Sequence, residues 1–221
     1  MNPLSQDIEK NIVKSGTSIV GIVCKDGVIL AGDRRTTAGG QIVMSKRSDK
    51  VIQINDYIAV AGTGVSSDID LSQRVLAAEL RLKDLKTKSQ TTVKEAANLY
   101  GLMSYRNIRT PSMIPSMVGT LLAGVNEDGS TELYTIEPAG GVYKVEDYDA
   151  NFGSGMPYIL GLLERQYKKD MSVKEGVELA KECIKAAMER DPASGNGIDV
   201  FAITKEGVRH VVSEVIVIEY K

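Results

Sequence analysis

Gly16-Thr17-Ser18-Ile19-Val20-Gly21 opens a β-branched apolar run after sixteen mixed polar and charged residues, and the reading of the chain turns on this junction. Cut between Gly16 and Thr17, it would give a threonine with a hydroxyl and a free α-amine on one residue. That pair is a minimal catalytic unit, because the hydroxyl is a weak nucleophile and the amine can take its proton. An α-amine titrates near pH ~8, so a neutral fraction exists at physiological pH. The chain has a single histidine, His210, in a late strand-like stretch, so a Ser-His-Asp or metal-based alternative is hard to build. The plain alternative is an ordinary Gly-Thr pair leading into a strand.

Upstream, residues 1-16 (MNPLSQDIEKNIVKSG) lack the apolar core of a secretory signal and read as a removable leader. Residues 17-221 read as one domain. Downstream, Ser18 to Cys24 and Val28 to Ala31 form a hairpin around Lys25-Asp26-Gly27, and their near-continuous apolar content predicts a sheet buried on both faces. Ile42 to Met44 is a short strand. Val51 to Ile54 and Tyr57 to Ala61 form a second hairpin closed by Gly62-Thr63-Gly64.

A helix is expected over 67-86, with Leu71, Val75, Ala78, Leu82 and Leu85 on one face. A second opens on the capping box Thr92-Val-Lys-Glu95 and stops before Pro111. Strands return at 117-125, 131-136 and 142-145. Two more helices follow, one from Met156-Pro157 and one from the capping box Ser172-Val-Lys-Glu175. The chain closes with strands at 198-203, 208-212 and 215-218. Strands, a helix pair, strands, a helix pair and strands make an α+β protein of packed layers.

The 221 residues are 43% hydrophobic with a net charge of -2, which gives no sign of a nucleic-acid partner or an anionic membrane. No apolar run approaches the ~18 residues of a spanning helix. Cys24 and Cys183 are far apart, have no metal-ligand spacing, and read as buried reduced thiols. No cofactor or metal is expected, and the location expected is cytoplasmic.

Taken together, Gly16-Thr17-Ser18, Lys25 to Arg35, Lys46 to Lys50, Ala61-Gly62, Gly153-Ser154-Gly155-Met-Pro157 and Glu189-Arg-Asp191-Pro-Ala-Ser194-Gly195 resemble an archaeal-type proteasome β-subunit precursor. The likeness runs from Gly16 to about Ile203. It implies an N-terminal-nucleophile hydrolase, a four-layer αββα sandwich. It also implies seven-membered β-rings stacked between α-subunit rings (α7β7β7α7), gated indirectly by an ATPase cap and degrading unfolded polypeptide.

The resemblance makes Thr17 the nucleophile, freed by its own attack on the Gly16 carbonyl. Lys50 becomes the catalytic lysine, with Lys46 as a competing candidate, and Asp33 the acid that holds it by a charge-assisted hydrogen bond. Ser154, Asp191 and Ser194 become the surroundings of the threonine amine, and the Gly62 N–H the oxyanion donor. A substrate pocket near Thr36, Thr37, Ile52, Val60 and Gly64 has neutral and apolar walls, which predicts cleavage after hydrophobic residues. The alternatives left open are a silent or partner-dependent β-subunit, another N-terminal-nucleophile enzyme, and an unrelated α+β binding module.

Overall fold

A computed structural model describes residues 16–38, 40, 42–112 and 116–216. The leader to residue 15 and the end of the strand expected at 215-218 lie outside the described residues. Two five-stranded antiparallel sheets organise the chain. Sheet I has the order β10-β1-β2-β11-β12, from β1 (Ile19–Cys24), β2 (Gly27–Asp33), β10 (Tyr148–Asp149), β11 (Gly197–Thr204) and β12 (Gly207–Val215). Sheet II has the order β5-β6-β7-β8-β9, from β5 (Val51–Gln53), β6 (Ile58–Gly64), β7 (Val118–Val125), β8 (Thr131–Ile136) and β9 (Val142–Val145). A small exposed ribbon of β3 (Thr36–Ala38) and β4 (Ile42–Ser45) leaves the end of β2.

Alternation along the strands builds three apolar layers. On β1 and β2, Val20, Ile22, Ile29 and Ala31 face a core shared with α3 (Met156–Gln166) and α4 (Val173–Arg190). Ile19, Val28 and Leu30 point the other way, to meet Ala59, Ala61, Leu121 and Ala123 of sheet II. Ile58, Val60 and Leu122 pack on the far side of sheet II against α1 (Ser66–Thr87) and α2 (Val93–Arg109). Because both faces of β2 and β7 are covered, every residue in them is buried, which explains why they are apolar but for Asp33 and Thr120. The order helix pair, sheet I, sheet II, helix pair is the αββα sandwich expected from sequence.

Both capping boxes form. Thr92 accepts from the Glu95 N–H and Ser172 from the Glu175 N–H, while each glutamate reaches back to its cap residue. On α1 the apolar stripe forms one face, as expected, but that face points away from sheet II. Leu71, Val75, Leu82 and Leu85 are 56%, 38%, 47% and 69% exposed, while Leu76 and Leu80 are fully buried against sheet II. The 4-3-4-3 spacing of 71, 75, 78, 82 and 85 is a true apolar seam. It faces outward because the shorter set 72, 73, 76 and 80 takes the sheet.

Candidate active site

Gly16 and Thr17 sit where the two sheets part, at the head of β1, and Thr17 is 1% exposed. A Cβ on residue 16 would lie 1.9 Å from Ala193 Cβ and 2.9 Å from Ser154 Oγ, so only glycine fits this cleft. The Gly16 N–H donates to Thr37 Oγ1 at 3.2 Å. The Thr17 hydroxyl donates to the Gly16 carbonyl oxygen at 2.7 Å, which puts the nucleophile candidate against the carbonyl of the junction itself.

The Thr17 N–H donates to Ser154 Oγ at 3.0 Å, and the Ser154 hydroxyl donates to Asp191 Oδ2 at 2.6 Å. Asp191 closes the C-terminus of α4. Its carboxylate also accepts the Ser194 hydroxyl at 2.6 Å and the Ala193 N–H at 3.0 Å. Ser154 precedes α3, where Gly155 is the cap residue and Pro157 lies in the first turn. The two helices of one layer thus deliver the serine and the acid to the Thr17 nitrogen.

Asp33 ends β2 and is fully buried. Its oxygens accept three backbone N–H groups: Ser18 at 3.0 Å, Arg35 at 2.9 Å and Gly195 at 2.9 Å. Burial pushes its carboxyl up to about 6, against the pull of Lys50 and of these donors. Burial also lowers the Lys50 ammonium, and Asp33 opposes that shift. Lys50 is 6% exposed and Lys46 lies on the surface, so Lys50 is the lysine brought to the site. Gly32 lets it approach, since a Cβ there would lie 2.8 Å from Lys50 Cβ across the inter-sheet gap.

Two expectations change at this point. Lys50 is not hydrogen-bonded to Asp33. Its Nζ donates to Thr36 Oγ1 at 3.3 Å, and Thr36 in turn donates to Ser48 Oγ at 2.7 Å. Three backbone amides hold the carboxylate in place, and the lysine remains a coulombic partner. The Gly62 N–H, expected to face a substrate oxyanion, donates to the Lys50 carbonyl at 3.2 Å.

Ile52 and Val60 are direct cross-strand partners, which places their side chains on one face. Gly62 is on that face too, and a Cβ there would meet Ile69 of α1 at 2.7 Å. Gly64 has φ +122° and is crowded by the Met117 carbonyl, 2.1 Å from a Cβ at that position. Ile52, Val60 and Ile69 therefore lie on the Gly62 face, with Val60 itself fully buried against the helices. The hydroxyls of Thr36 and Thr37 are committed to Lys50, Ser48 and Gly16.

Sequence reasoning missed Ser18, Ser48, Ile69 and Asn151. Asn151 has φ +46°, and its amide donates to Thr120 O at 3.2 Å and Thr135 Oγ1 at 2.8 Å, pinning the Ser154 turn to sheet II. Asn before Phe-Gly was a visible turn signal, since asparagine tolerates the left-handed region. Ser18 and Ser48 carried no signal. Among the described residues no cluster of His, Cys, Asp and Glu could hold a metal ion. Cys24 and Cys183 are free and buried, with thiols pushed up to about 12, chiefly by burial.

A four-layer αββα sandwich with a threonine at the head of its first strand is the N-terminal-nucleophile hydrolase fold. The family described as "Proteasome subunit" matches residues 13–203. "Proteasome subunit beta" of Nanoarchaeum equitans is 36% identical over 198 residues, covering 90% of this chain and 98% of that protein. "Proteasome subunit beta 1" of Thermococcus gammatolerans is 40% identical, covering 89% and 93%, and that of Thermococcus kodakarensis is 41% identical, covering 88% and 91%. The chain belongs to the proteasome subunit family, and these relatives are archaeal β-subunits.

Proposed function

We propose that this chain is a catalytic proteasome β-subunit, a threonine endopeptidase that matures by cutting itself between Gly16 and Thr17. The observation that carries this reading is the 2.7 Å hydrogen bond from the Thr17 hydroxyl to the Gly16 carbonyl oxygen, beside a nitrogen already held by Ser154. In maturation Thr17 Oγ attacks the Gly16 carbonyl carbon and loses its proton. The C–N bond breaks, the Thr17 nitrogen takes a proton, and an ester joins Gly16 to Thr17 Oγ. Water hydrolyses the ester, releasing residues 1-16 as a carboxylate and leaving Thr17 with a free amine and hydroxyl.

In peptide hydrolysis the same hydroxyl attacks a substrate carbonyl while the α-amine, directly or through water, accepts its proton. The departing amine is protonated, and water releases the acyl group. The Lys50 ammonium favours a developing alkoxide and lowers the proton affinity of the amine. Asp33 keeps Lys50 charged. Asp191, through Ser154 and with Ser194, orients the amine. For Gly62 to stabilise an oxyanion, its N–H must turn from, or be shared with, the Lys50 carbonyl. The apolar character of Ile52, Val60 and Ile69 on the Gly62 face favours cleavage after hydrophobic residues.

The family relationship supports assembly into α7β7β7α7 particles in the cytoplasm, capped by an ATPase and fed unfolded chains. Among the described residues no helix is long and apolar enough to cross a membrane. A second reading, a β-subunit that becomes active only with its ring partners, is favoured by the Gly62 N–H being occupied and by Lys50 Nζ resting on Thr36. The two are separated by hydrolysis of fluorogenic peptides with apolar or basic residues before the scissile bond. Assembled wild type is compared with free chain and with Thr17→Ala. Activity in the assembled wild type alone, absent from the free chain and from Thr17→Ala, establishes the enzyme and favours partner dependence. Activity in the free chain excludes partner dependence, and none in any form refutes the enzyme.

A further inference from the structure

Ser18 is covalently next to Thr17 and fully buried, and it touches both acidic arms of the site. Its N–H donates to Asp33 Oδ1 at 3.0 Å, and its hydroxyl lies 2.7 Å from Ser194 Oγ. The direction of that second bond follows from the proton inventory. Ser194 has one hydroxyl proton, and its 2.6 Å bond to the acceptor-only Asp191 carboxylate uses it. Ser194 is therefore the acceptor and Ser18 the donor.

The result is a closed ring of directed bonds. Ser18 donates to Ser194, Ser194 and Ser154 donate to the same Asp191 oxygen, and Ser154 accepts from the nitrogen of Thr17. The peptide between residues 17 and 18 closes it. The neighbouring helix comes unusually close, for a Cβ on Gly155 would lie 1.8 Å from Ser18 Oγ. That approach is open only to glycine, and it seals the serine from water.

We propose that Ser18 is a positioning residue for the threonine chemistry, acting through Ser194 and Asp191 on the Thr17 nitrogen. This rests on the peptidase reading above. With its proton committed to Asp191, Ser154 can only accept from Thr17. It therefore takes an N–H of the mature amine and leaves the nitrogen lone pair to face Thr17 Oγ, as a general base requires. Ser18 holds this polarity by filling the acceptor site of Ser194. Without it, Ser194 keeps a buried unfilled acceptor, and its own bond to Asp191, no longer polarised by a donor behind it, weakens. The carboxylate, less well solvated by donors, then favours the protonated amine more strongly.

The test compares wild type, Ser18→Ala and Ser18→Thr in particles assembled with α-subunits. It reads leader removal by intact mass, assembly by gel filtration, and the pH dependence of peptide hydrolysis per processed subunit. Ser18→Ala is expected to assemble, process slowly and lose roughly ten- to a hundredfold in kcat, the range that follows from one unsatisfied buried acceptor. KM should hold and the acid limb of the profile should move to higher pH. Ser18→Thr, which keeps the hydroxyl, should restore rate and profile. A Ser18→Ala enzyme with wild-type rate and profile overturns the proposal. So does equal impairment of both variants, including joint failure to assemble, since that marks a packing role. If wild type itself neither processes nor hydrolyses, the peptidase reading has failed, which is a separate outcome from a failure of Ser18.

Discussion

Thr17 Oγ1 and the Gly16 carbonyl oxygen are 2.7 Å apart and hydrogen-bonded, so the nucleophile candidate is already paired with the peptide group that precedes it. Residue 16 is held in this pose by steric necessity, because any side chain there collides with Ala193. Gly16→Ala should therefore slow leader removal at least tenfold, since small misplacements of reacting groups are costly. A mass time course after assembly reads this directly. Removal at the wild-type rate would mean that the pose does not matter.

Lys50 and Lys46 differ in placement, one buried beside Thr36 and the other on the surface. Lys50→Ala should abolish peptide hydrolysis in assembled particles, whereas Lys46→Ala should leave it within about twofold. Lys50→Arg should fail as well, because a planar guanidinium does not fit a buried pocket shaped for a compact ammonium. Hydrolysis that survives Lys50→Ala would remove lysine from the mechanism.

The Asp33 carboxyl, raised from its ordinary value of 3.8 to about 6 mainly by burial, links stability to pH. Between those values the folded chain holds a proton that the unfolded chain has released. Asp33 therefore costs stability as pH rises from about 4 to 6, and the cost is constant above that. At ~1.4 kcal/mol per pKa unit the penalty is about 3 kcal/mol at pH 7. Urea unfolding of the free chain should show wild type losing ground to Asp33→Asn by this order between pH 4 and 7. A difference that stays flat over that range contradicts the assignment.

Leu71 and Leu82 stand exposed on the outer seam of α1. Glutamate at both positions should leave the melting temperature of the free chain within a few degrees, since neither residue packs in the core. The same pair should block incorporation into rings, as gel filtration would show. Normal assembly would mean that the seam is not an interface.

How far the sequence could be read depended on where each residue's partners lay. Strands, capping boxes and the αββα order were legible because apolar periodicity and Thr92/Glu95-type caps are local signals. The outward turn of α1 was not, since 71, 75, 82, 85 and 76, 80 are both helix-periodic and only the third dimension decides which set meets the sheet. Asp33, Lys50, Ser154 and Asp191 could be named only through the resemblance to the proteasome family. What holds them could not, because the donors to Asp33 come from residues 18, 35 and 195, and Lys50 rests on a threonine fourteen residues back. Ser18 was invisible for the same reason: its meaning lies in a bond to Ser194, 176 residues away.

The central claim, self-processing at Gly16-Thr17, is tested most directly by intact mass of the chain before and after assembly with α-subunits, with Thr17→Ala in parallel. Wild-type chains beginning at Thr17, and Thr17→Ala chains that keep residues 1-16, are the predicted result. Wild-type chains that keep the leader in fully formed particles, or Thr17→Ala chains that lose it, would contradict the account.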